Sequence, residues 1–147
     1  MSPITTTIEV NRPAEDVFAY VTDPTRFVEW QHGVISGQMD GDEPHGVRDR
    51  CLTTRRIGGA ERQVTSEITH IDPPKTWGVR GINGPIRSIV DVTVSPVEEG
   101  RGSRVRIDLD FTGHGIGKVL VPLLVRPSAR KEMSENVNRL KQRLESP

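Results

Sequence analysis

The sequence has one cysteine and no formal net charge, and each of these features excludes a class of protein. The single cysteine, Cys51, excludes an internal disulfide and a zinc site with several thiolate ligands, so we expect a reducing, cytoplasmic environment. Lys plus Arg and Asp plus Glu number 20 each, so the formal net charge is zero and no nucleic-acid partner is expected.

Long apolar runs are also missing. No stretch approaches the roughly 20 apolar residues of a membrane-spanning helix, and the first residues include polar Thr and Glu rather than a leader pattern. We therefore expect no signal peptide and no stable membrane insertion. A chain of 147 residues is long enough to form one core, so a single domain over residues 1–147 is predicted.

Motifs for nucleotide and metal chemistry are absent from the sequence. The stretch GHGIGK at 113–118 is one residue too short for a phosphate-binding loop, and Val119 follows where Ser or Thr is required. A dinucleotide fingerprint fails too, because the stretch does not belong to a βαβ unit. The histidines are not at metal-ligand spacings; they are His32, His45, His70 and His114. We expect neither a metal nor another cofactor.

The patterns that are present begin with one strand and two short helices. Residues 4–10, ITTTIEV, are β-branched and predict a strand. The stretch NRPAEDVFAYVTDP, residues 11–24, has a proline and two acidic residues where a helix begins and an Asp-Pro break where it ends. Phe27 and Trp30, three residues apart, indicate a second short helix.

From Val34 to Thr112 the pattern has a period of two and predicts six more strands. Turn sequences interrupt it at 40–46, 58–59, 72–74, 83–84 and 98–102. Short turns between strands give an antiparallel meander. In SRVRIDLDF the apolar residues point one way, and we expect them to face the C-terminal helix: Val105, Ile107, Leu109 and Phe111.

Two earlier strands raise the question of which residues point inward. On one of them, His70 shares an apolar face with Val64 and Ile68. On the other, the pattern leaves open whether the Asp49/Cys51 face or the Arg50/Leu52 face lines the interior. If Asp49 points inward, its buried carboxylate needs a partner such as Arg55.

The last element is a long helix with two different halves. Four apolar residues recur at helical spacing and predict a helix lying on the apolar face of the sheet: Met133, Val137, Leu140 and Leu144. The preceding segment, Val119 to Val125, is apolar on nearly every side and contains Pro122. With glycines at 113, 115 and 117, it is either a hinged lid or a packed segment that contacts a second copy of the chain.

Several of these stretches resemble one protein family. TIEVNRPAEDVFAYVTDPTRFVEW, IDPPKTW and ENVNRLKQRLE are similar to the N-terminal signature, a middle turn and the C-terminal helix of the START-like (SRPBCC) helix-grip superfamily, especially its polyketide cyclase/dehydrase-type bacterial members. The resemblance covers essentially the whole chain. It implies an α+β helix-grip fold, in which a seven-stranded curved antiparallel sheet, two short helices and a long C-terminal helix enclose a cavity.

The resemblance leaves three functions open. The first is binding of a small hydrophobic molecule such as a lipid, quinone or polyketide; with only three Phe, two Trp and one Tyr, an aliphatic cavity is expected. The second is a cyclase or dehydratase that uses His70 or His114 as acid and base. The third is a protein-interaction module, with a homodimer as one case. The candidate ligand contacts are Cys51, Trp77, Val90, Leu109, Phe111, His114, Leu120 and Leu124.

Overall fold

The computed structural model describes residues 3–57 and 59–146. Its strands are β1 (Ile4–Val10), β2 (Val34–Met39), β3 (Arg50–Ile57), β4 (Ala60–Asp72), β5 (Thr76–Gly81), β6 (Ile86–Val97) and β7 (Gly102–Gly113). Its helices are α1 (Ala14–Val21), α2 (Phe27–Trp30), α3 (Gly117–Leu120) and α4 (Arg126–Glu145). The expected order of elements is confirmed.

The strands form one antiparallel sheet in the order β1-β7-β6-β5-β4-β3-β2. Consecutive strands from β2 to β7 are neighbours, so the meander expected from the turn sequences is confirmed, and β1 is added at the β7 edge. The predicted turn at 58–59 connects β3 and β4, but its first residue, Gly58, lies outside the described residues.

The short helices begin where the sequence predicts. Pro13 precedes α1 with a φ of −61°, and Glu15 and Asp16 lie in the first turn, where carboxylates are favourable to the helix dipole. Asp23 then accepts a 3.0 Å hydrogen bond from the backbone N–H of Thr25 and caps a short 3₁₀ turn ahead of α2.

One face of the sheet is covered by α4, and we call it the inner face. It carries Val105 and Ile107, which are 0% and 3% exposed and belong to one apolar cluster with Val137 and Leu140 of α4. Since burying an apolar side chain of this size contributes about 1.5–3 kcal/mol, this contact is a main source of the fold's stability. The predicted orientation toward α4 is confirmed for Val105 and Ile107, and Leu109 and Phe111 lie on the same face of β7.

His70 lies on the opposite, outer face, which corrects the sequence prediction. Ile68 is opposite Val79 on β5, but the register then shifts, so that His70 is opposite Gly78 and Ile71 takes the next inner position. A β-bulge of this kind inserts one extra residue and moves every later side chain to the other face. The prediction that His70 lies on the apolar face assumed strict alternation along β4 and is therefore wrong.

The inner face of β3 carries Cys51, Thr53 and Arg55. Cys51 is opposite Ser66 and Thr53 is opposite Val64, and both β3 side chains are buried. Arg50 and Leu52 consequently belong to the outer face.

Asp49 does not pair with Arg55. The alternative of a buried carboxylate paired with that arginine is therefore wrong. It precedes β3 in a turn, where its carboxylate accepts a 2.8 Å hydrogen bond from the backbone N–H of Gly46. The same carboxylate lies 3.6 Å from Nδ1 of His45.

The apolar segment before α4 is not a regular α-helix. Residues Val121–Val125 form a π-helical turn between α3 and α4, because Pro122 has no N–H to donate within the helix. The segment is held close to the turn before β6: a side chain at Gly117 would overlap the carbonyl of Pro85, and one at Gly113 would overlap the backbone of Gly117. These two glycines permit close packing, a role other than the hinge that was one of the two alternatives left open by the sequence.

Hydrogen bonds attach the C-terminal end of α4 to the residues that follow β1. Glu145 accepts a 2.8 Å hydrogen bond from the backbone N–H of Asn11, and Arg12 Nη1 donates a 2.8 Å bond to the carbonyl of Leu144. The second bond satisfies one of the carbonyls that a helix leaves unpaired at its C-terminus. In the described part of the chain, none of the helices combines the length and the apolar character needed to cross a bilayer.

Candidate functional site

The inner face is more completely buried at one end than at the other. Four neighbouring side chains of β6 and β7 are half-buried and form what we call the open strip: Ser88, Val90, Leu109 and Phe111. They are paired across the two strands, Ser88 with Phe111 and Val90 with Leu109, and their side chains therefore lie together on one face. Three of the predicted ligand contacts are thus brought together.

The segment that precedes α4 approaches this part of the sheet. The backbone N–H of His114 donates a 2.8 Å hydrogen bond to the carbonyl of Pro85, which brings the start of the segment beside the turn before β6. Within the segment, Val121 is buried, Leu120 and Val125 are half-buried, and both α3 and the π-helical turn contact β7.

The other side of this segment is exposed. Four large apolar side chains are more than half exposed: Ile116 (68%), Val119 (57%), Leu123 (67%) and Leu124 (63%). Leu124 and the exposed His114 are therefore not brought together with the open strip in this conformation, whereas Leu120 is half-buried. Leu120 and Leu124 are four residues apart and would share one side of a regular α-helix, but the π-helical turn does not have that pitch.

A polar group of side chains lies on the same inner face, on β3 and β4. Thr53 and Ser66 are 4% and 9% exposed, and Thr53 Oγ1 donates a 3.4 Å hydrogen bond to the carbonyl of Val64. Arg55 lies next to them, with Nε donating to Thr53 Oγ1 at 3.2 Å and Nη2 donating to Gln31 Oε1 at 3.2 Å. Both acceptors are neutral.

Arg55 is a cation without a close counter-ion in the described residues. No carboxylate of residues 3–57 or 59–146 lies within 4.0 Å of its guanidinium. Burial lowers the pKa of Arg55, and the Coulombic interactions with Glu132 and with Cys51, once its thiol is ionised, oppose that change only in part. The sequence analysis considered Arg55 only as a partner of Asp49, because alternation alone left the inward face of β3 undecided.

Cys51 and Trp77 are parts of the packed interior. Burial raises the pKa of the Cys51 thiol to about 11, so the thiol is protonated at neutral pH and is not an activated nucleophile. Trp77 is 4% exposed and packs edge-on against Phe27, which in turn packs edge-on against Trp30. The two predicted ligand contacts are thus on the inner face, but the packed core covers them.

The two candidate catalytic histidines are not together. His70 Nε2 lies 2.7 Å from Asp91 Oδ1 on the outer face, with the two side chains 43% and 47% exposed, while His114 is exposed at the end of β7. Neither ring is part of the open strip. The residues that the structure describes contain no group of three or more His, Cys, Asp or Glu side chains that could hold a metal ion.

A polar groove of about 470 Å³ lies outside the sheet-helix interface, between α1, α2 and the end of α4. Tyr20 donates a 2.9 Å hydrogen bond to Glu29 there, and burial together with this carboxylate raises the pKa of Tyr20 to about 12. Arg26, Arg139 and Arg143 complete its charged lining. A groove so lined does not suit an apolar ligand.

Comparison with known proteins agrees with this architecture. A family model described as polyketide cyclase / dehydrase and lipid transport matches residues 1–145. No curated protein matched the chain.

Solved structures of similar shape cover nearly the whole chain. A START superfamily protein from Mycobacterium smegmatis has a TM-score of 0.73 at 15% identity, over 99% of this chain and 98% of that one. A protein from Thermus thermophilus has a TM-score of 0.75 at 18% identity, over 96% and 95% of the two chains. The di-domain ARO/CYC BexL from the BE-7585A biosynthetic pathway has a TM-score of 0.71 at 16% identity, over 97% of this chain and 50% of that one.

Likeness at such low identity establishes the fold, and the fold is the START-like helix-grip arrangement that the sequence predicted. The family match extends over almost all of the sequence and establishes more. The chain belongs to the polyketide cyclase/dehydrase and lipid transport family.

Proposed function

We propose that the protein binds a small hydrophobic molecule, such as a lipid, quinone or polyketide-like compound, between the inner face of the sheet and the C-terminal helix. The observation that carries the proposal is the open strip, where three apolar side chains lie together half-buried on the inner face, with Val90 and Leu109 at the margin of the packed apolar cluster. Covering them with an apolar ligand would stabilise the complex by about 25 cal/mol for each Å² removed from water.

The segment at 116–125 is the part of the chain best placed to cover such a ligand. It lies beside the open strip, and Leu120, Val121 and Val125 are its buried or half-buried side chains. Its exposed apolar side chains indicate that α4 and the sheet bury only one side of it, so moving it gives up the packing of that side alone.

The family and its solved relatives also include proteins named for polyketide cyclisation. For this chain, acid-base catalysis by His70 or His114 is the less supported hypothesis, because one ring is on the outer face and the other is exposed at the strand end. Polar groups on the inner face include Ser88 in the open strip and Thr53, Ser66 and Arg55 on β3 and β4, and such groups are suited to orienting a polar group of a ligand.

Two variants of adjacent residues test the proposed site. Val90→Trp adds a large apolar group on the inner face, whereas Ile89→Trp adds the same group on the outer face, where Ile89 is 37% exposed. Binding of 1-dodecanol, measured by isothermal titration calorimetry, is expected for the wild type and for Ile89→Trp but not for Val90→Trp. Equal binding by both variants would place the ligand elsewhere, and no binding by the wild type would contradict an alkyl-ligand site.

A search for the natural ligand complements these variants. The protein would be purified from its own cells under mild conditions and its mass measured in the native state. We expect an added mass that denaturation releases and that is absent from Val90→Trp purified in the same way.

A further inference from the structure

We infer that the protein docks reversibly on anionic membrane surfaces through the exposed side of the segment 116–125. The inference goes beyond the proposed function and does not depend on it. It starts from four apolar side chains that are more than half exposed, which we call the apolar patch: Ile116, Val119, Leu123 and Leu124. Large apolar side chains exposed together usually mark a surface that contacts a partner.

The charges around the apolar patch are all of one sign. Residues 111–131 contain four Lys or Arg residues and no Asp or Glu, although the whole chain has 20 charged residues of each sign. Lys118 is exposed within the segment, and Arg130 and Lys131 are exposed near the start of α4. Because seven residues make about two helical turns, these two cations follow on the side where the last two residues of the patch lie.

The turn beside the segment adds another cation. The carbonyl of Pro85 in this turn accepts the 2.8 Å hydrogen bond from the backbone N–H of His114. Residues 82–90, which include the turn and the start of β6, contain Arg87 and neither Asp nor Glu. The basic character therefore extends from the segment to the adjoining part of the sheet.

The two acidic residues at the margins of this region have partners elsewhere. Asp110 Oδ1 lies 2.6 Å from Nη1 of Arg126, so these two charges compensate each other. Glu132 Oε1 lies 3.9 Å from Nε2 of His32, a residue that follows α2. The apolar patch is thus surrounded by exposed positive charge, which is complementary to an anionic surface.

A second copy of the chain is a less suitable occupant of this surface. A symmetric dimer places the same surface of both chains in contact. The exposed cations Lys118, Arg130 and Lys131 would then come close to their equivalents in the other copy, and like charges facing each other in an interface weaken binding.

A bilayer also suits the form of the patch. Its side chains project from a helical segment, and the headgroup region of a membrane accepts such side chains without a matching pocket. Docking of this kind is peripheral, so the expectation of no stable membrane insertion is unchanged. It would bring the open strip close to a store of hydrophobic molecules.

The test compares neutral and anionic vesicles. Co-sedimentation would be measured with vesicles of phosphatidylcholine and with vesicles of phosphatidylcholine mixed with phosphatidylglycerol. Physiological salt would be used, so that charges more than about 8 Å from the surface are largely screened.

Two pairs of variants isolate the apolar and the charged contribution. Val119→Asp is matched by Val47→Asp, because both valines have nearly the same exposure, 57% and 56%, and both changes add one negative charge. Lys118→Gln is matched by Lys75→Gln, at an exposed lysine of the turn between β4 and β5.

We expect the wild type to bind the anionic vesicles at least about tenfold more tightly than the neutral ones, since each basic residue near such a surface contributes about fivefold. Val119→Asp should weaken binding to the anionic vesicles by at least about tenfold, because it puts a charge where an apolar side chain enters the bilayer. Val47→Asp should change it by less than about twofold.

The lysine variants test the preference for anionic lipid separately. Lys118→Gln should weaken binding to the anionic vesicles by about fivefold and leave binding to the neutral vesicles unchanged. Lys75→Gln should change neither. This pair answers the question even if urea unfolding shows that Val119→Asp is not folded.

Three results overturn the inference. The first is a wild type that binds neither vesicle or binds both equally, and the second is a Val119→Asp variant that binds like Val47→Asp. The third is a wild-type dimer in sedimentation velocity that Val119→Asp dissociates, which would assign the patch to an interface between copies. Titration with 1-dodecanol distinguishes these failures from failure of the proposed function, because a protein that binds dodecanol but no vesicle contradicts only this inference.

Discussion

His70 and Asp91 form a contact of 2.7 Å between Nε2 and Oδ1 across β4 and β6, passing over Gly78 of the intervening strand β5. The contact is on the outer face of the sheet, and the histidine is there because of the β-bulge after Ile68. The imidazole ring of His70 thus packs directly against the backbone of Gly78, and its Nε2 contacts the carboxylate of Asp91.

The first prediction concerns ligand binding by variants of His70. His70→Ala should leave the affinity for dodecanol unchanged within about twofold, because the ring is separated from the open strip by the sheet itself. Its effect on the free energy of unfolding should stay below about 1 kcal/mol, as is usual for an exposed ion pair. A loss of binding greater than tenfold would restore His70 as a functional residue.

The second prediction concerns Gly78. A side chain there would overlap the ring of His70 and lie 2.8 Å from Asp91 Oδ1, so Gly78→Ala should destabilise the fold by about 1–3 kcal/mol in urea unfolding. Gly46→Ala is the control, since nothing lies within 4 Å of the added carbon there. In a His70→Ala background, Gly78→Ala should lower the free energy of unfolding by a smaller amount. An unchanged loss of stability would mean that the overlap with the His70 ring does not cause it.

The third prediction concerns the attachment of α4. Leu140 is 0% exposed and packs in the cluster that contains Val105, so Leu140→Ala should lower the free energy of unfolding by about 2–5 kcal/mol. The exposed Asn138 is a suitable control, with an expected change below about 0.5 kcal/mol on substitution by Ala. Equal losses of stability in the Leu140 and Asn138 variants would show that α4 does not bury one side only.

Arg139 and Lys141 are unsuitable as neutral controls. Their helical positions alone would mark them as surface residues, but Arg139 donates to the carbonyl of Trp30 at 3.2 Å and Lys141 to that of Glu9 at 2.7 Å.

The fourth prediction concerns the segment 116–125. Without ligand, its amide hydrogens should exchange faster than those of the centre of β7, because its outer side is exposed and its π-helical turn is irregular. Dodecanol should slow their exchange in the wild type but not in Val90→Trp. If these amides are as slow as those of β7 before ligand is added, the segment is part of the core and does not act as a lid.

The fifth prediction concerns acid stability through Glu145. The backbone N–H of Asn11, and after it Lys141, hold the pKa of this carboxylate below its usual value of 4.5. The stabilisation is therefore fully present above that value and is lost as pH falls through the lowered pKa of the folded state.

Glu145→Gln should thus be less stable than the wild type at neutral pH, by at most about 1 kcal/mol because the group is near the surface. The difference should shrink to nothing in acid, as followed by urea unfolding at a series of pH values. Glu135→Gln, at an exposed position of the same helix, provides the comparison. A difference that persists unchanged in acid would show that the carboxylate charge is not responsible.

Much of the fold could be predicted because its signals are local. Turn sequences between β-branched stretches indicated the six strands after Val34, and the alternation in β7 indicated the orientation of Val105 and Ile107. The acidic first turn of α1 and the spacing from Met133 to Leu144 indicated the helices. Each of these patterns depends on residues within a few positions of one another.

The candidate site was predicted less completely. Val90, Leu109 and Phe111 are together on the inner face as expected, but Leu124 and His114 are exposed and Trp77 is in the packed interior. Sequence patterns distinguish the two faces of a strand, but they do not show how far a helix covers one of them. The open strip exists because α4 fills only one end of the inner face.

The sequence by itself determined the order of the elements, the antiparallel pairing and the face of β7 that meets α4, because hydrophobic period and turn chemistry are properties of neighbouring residues. Only the tertiary structure decided that His70 points outward and Arg55 inward. A β-bulge is a relation between two strands, so its effect on His70 is set by the pairing of β4 with β5. The partial burial of Arg55 depends on residues outside β3, among them Gln31 directly after α2, which no pattern within β3 contains.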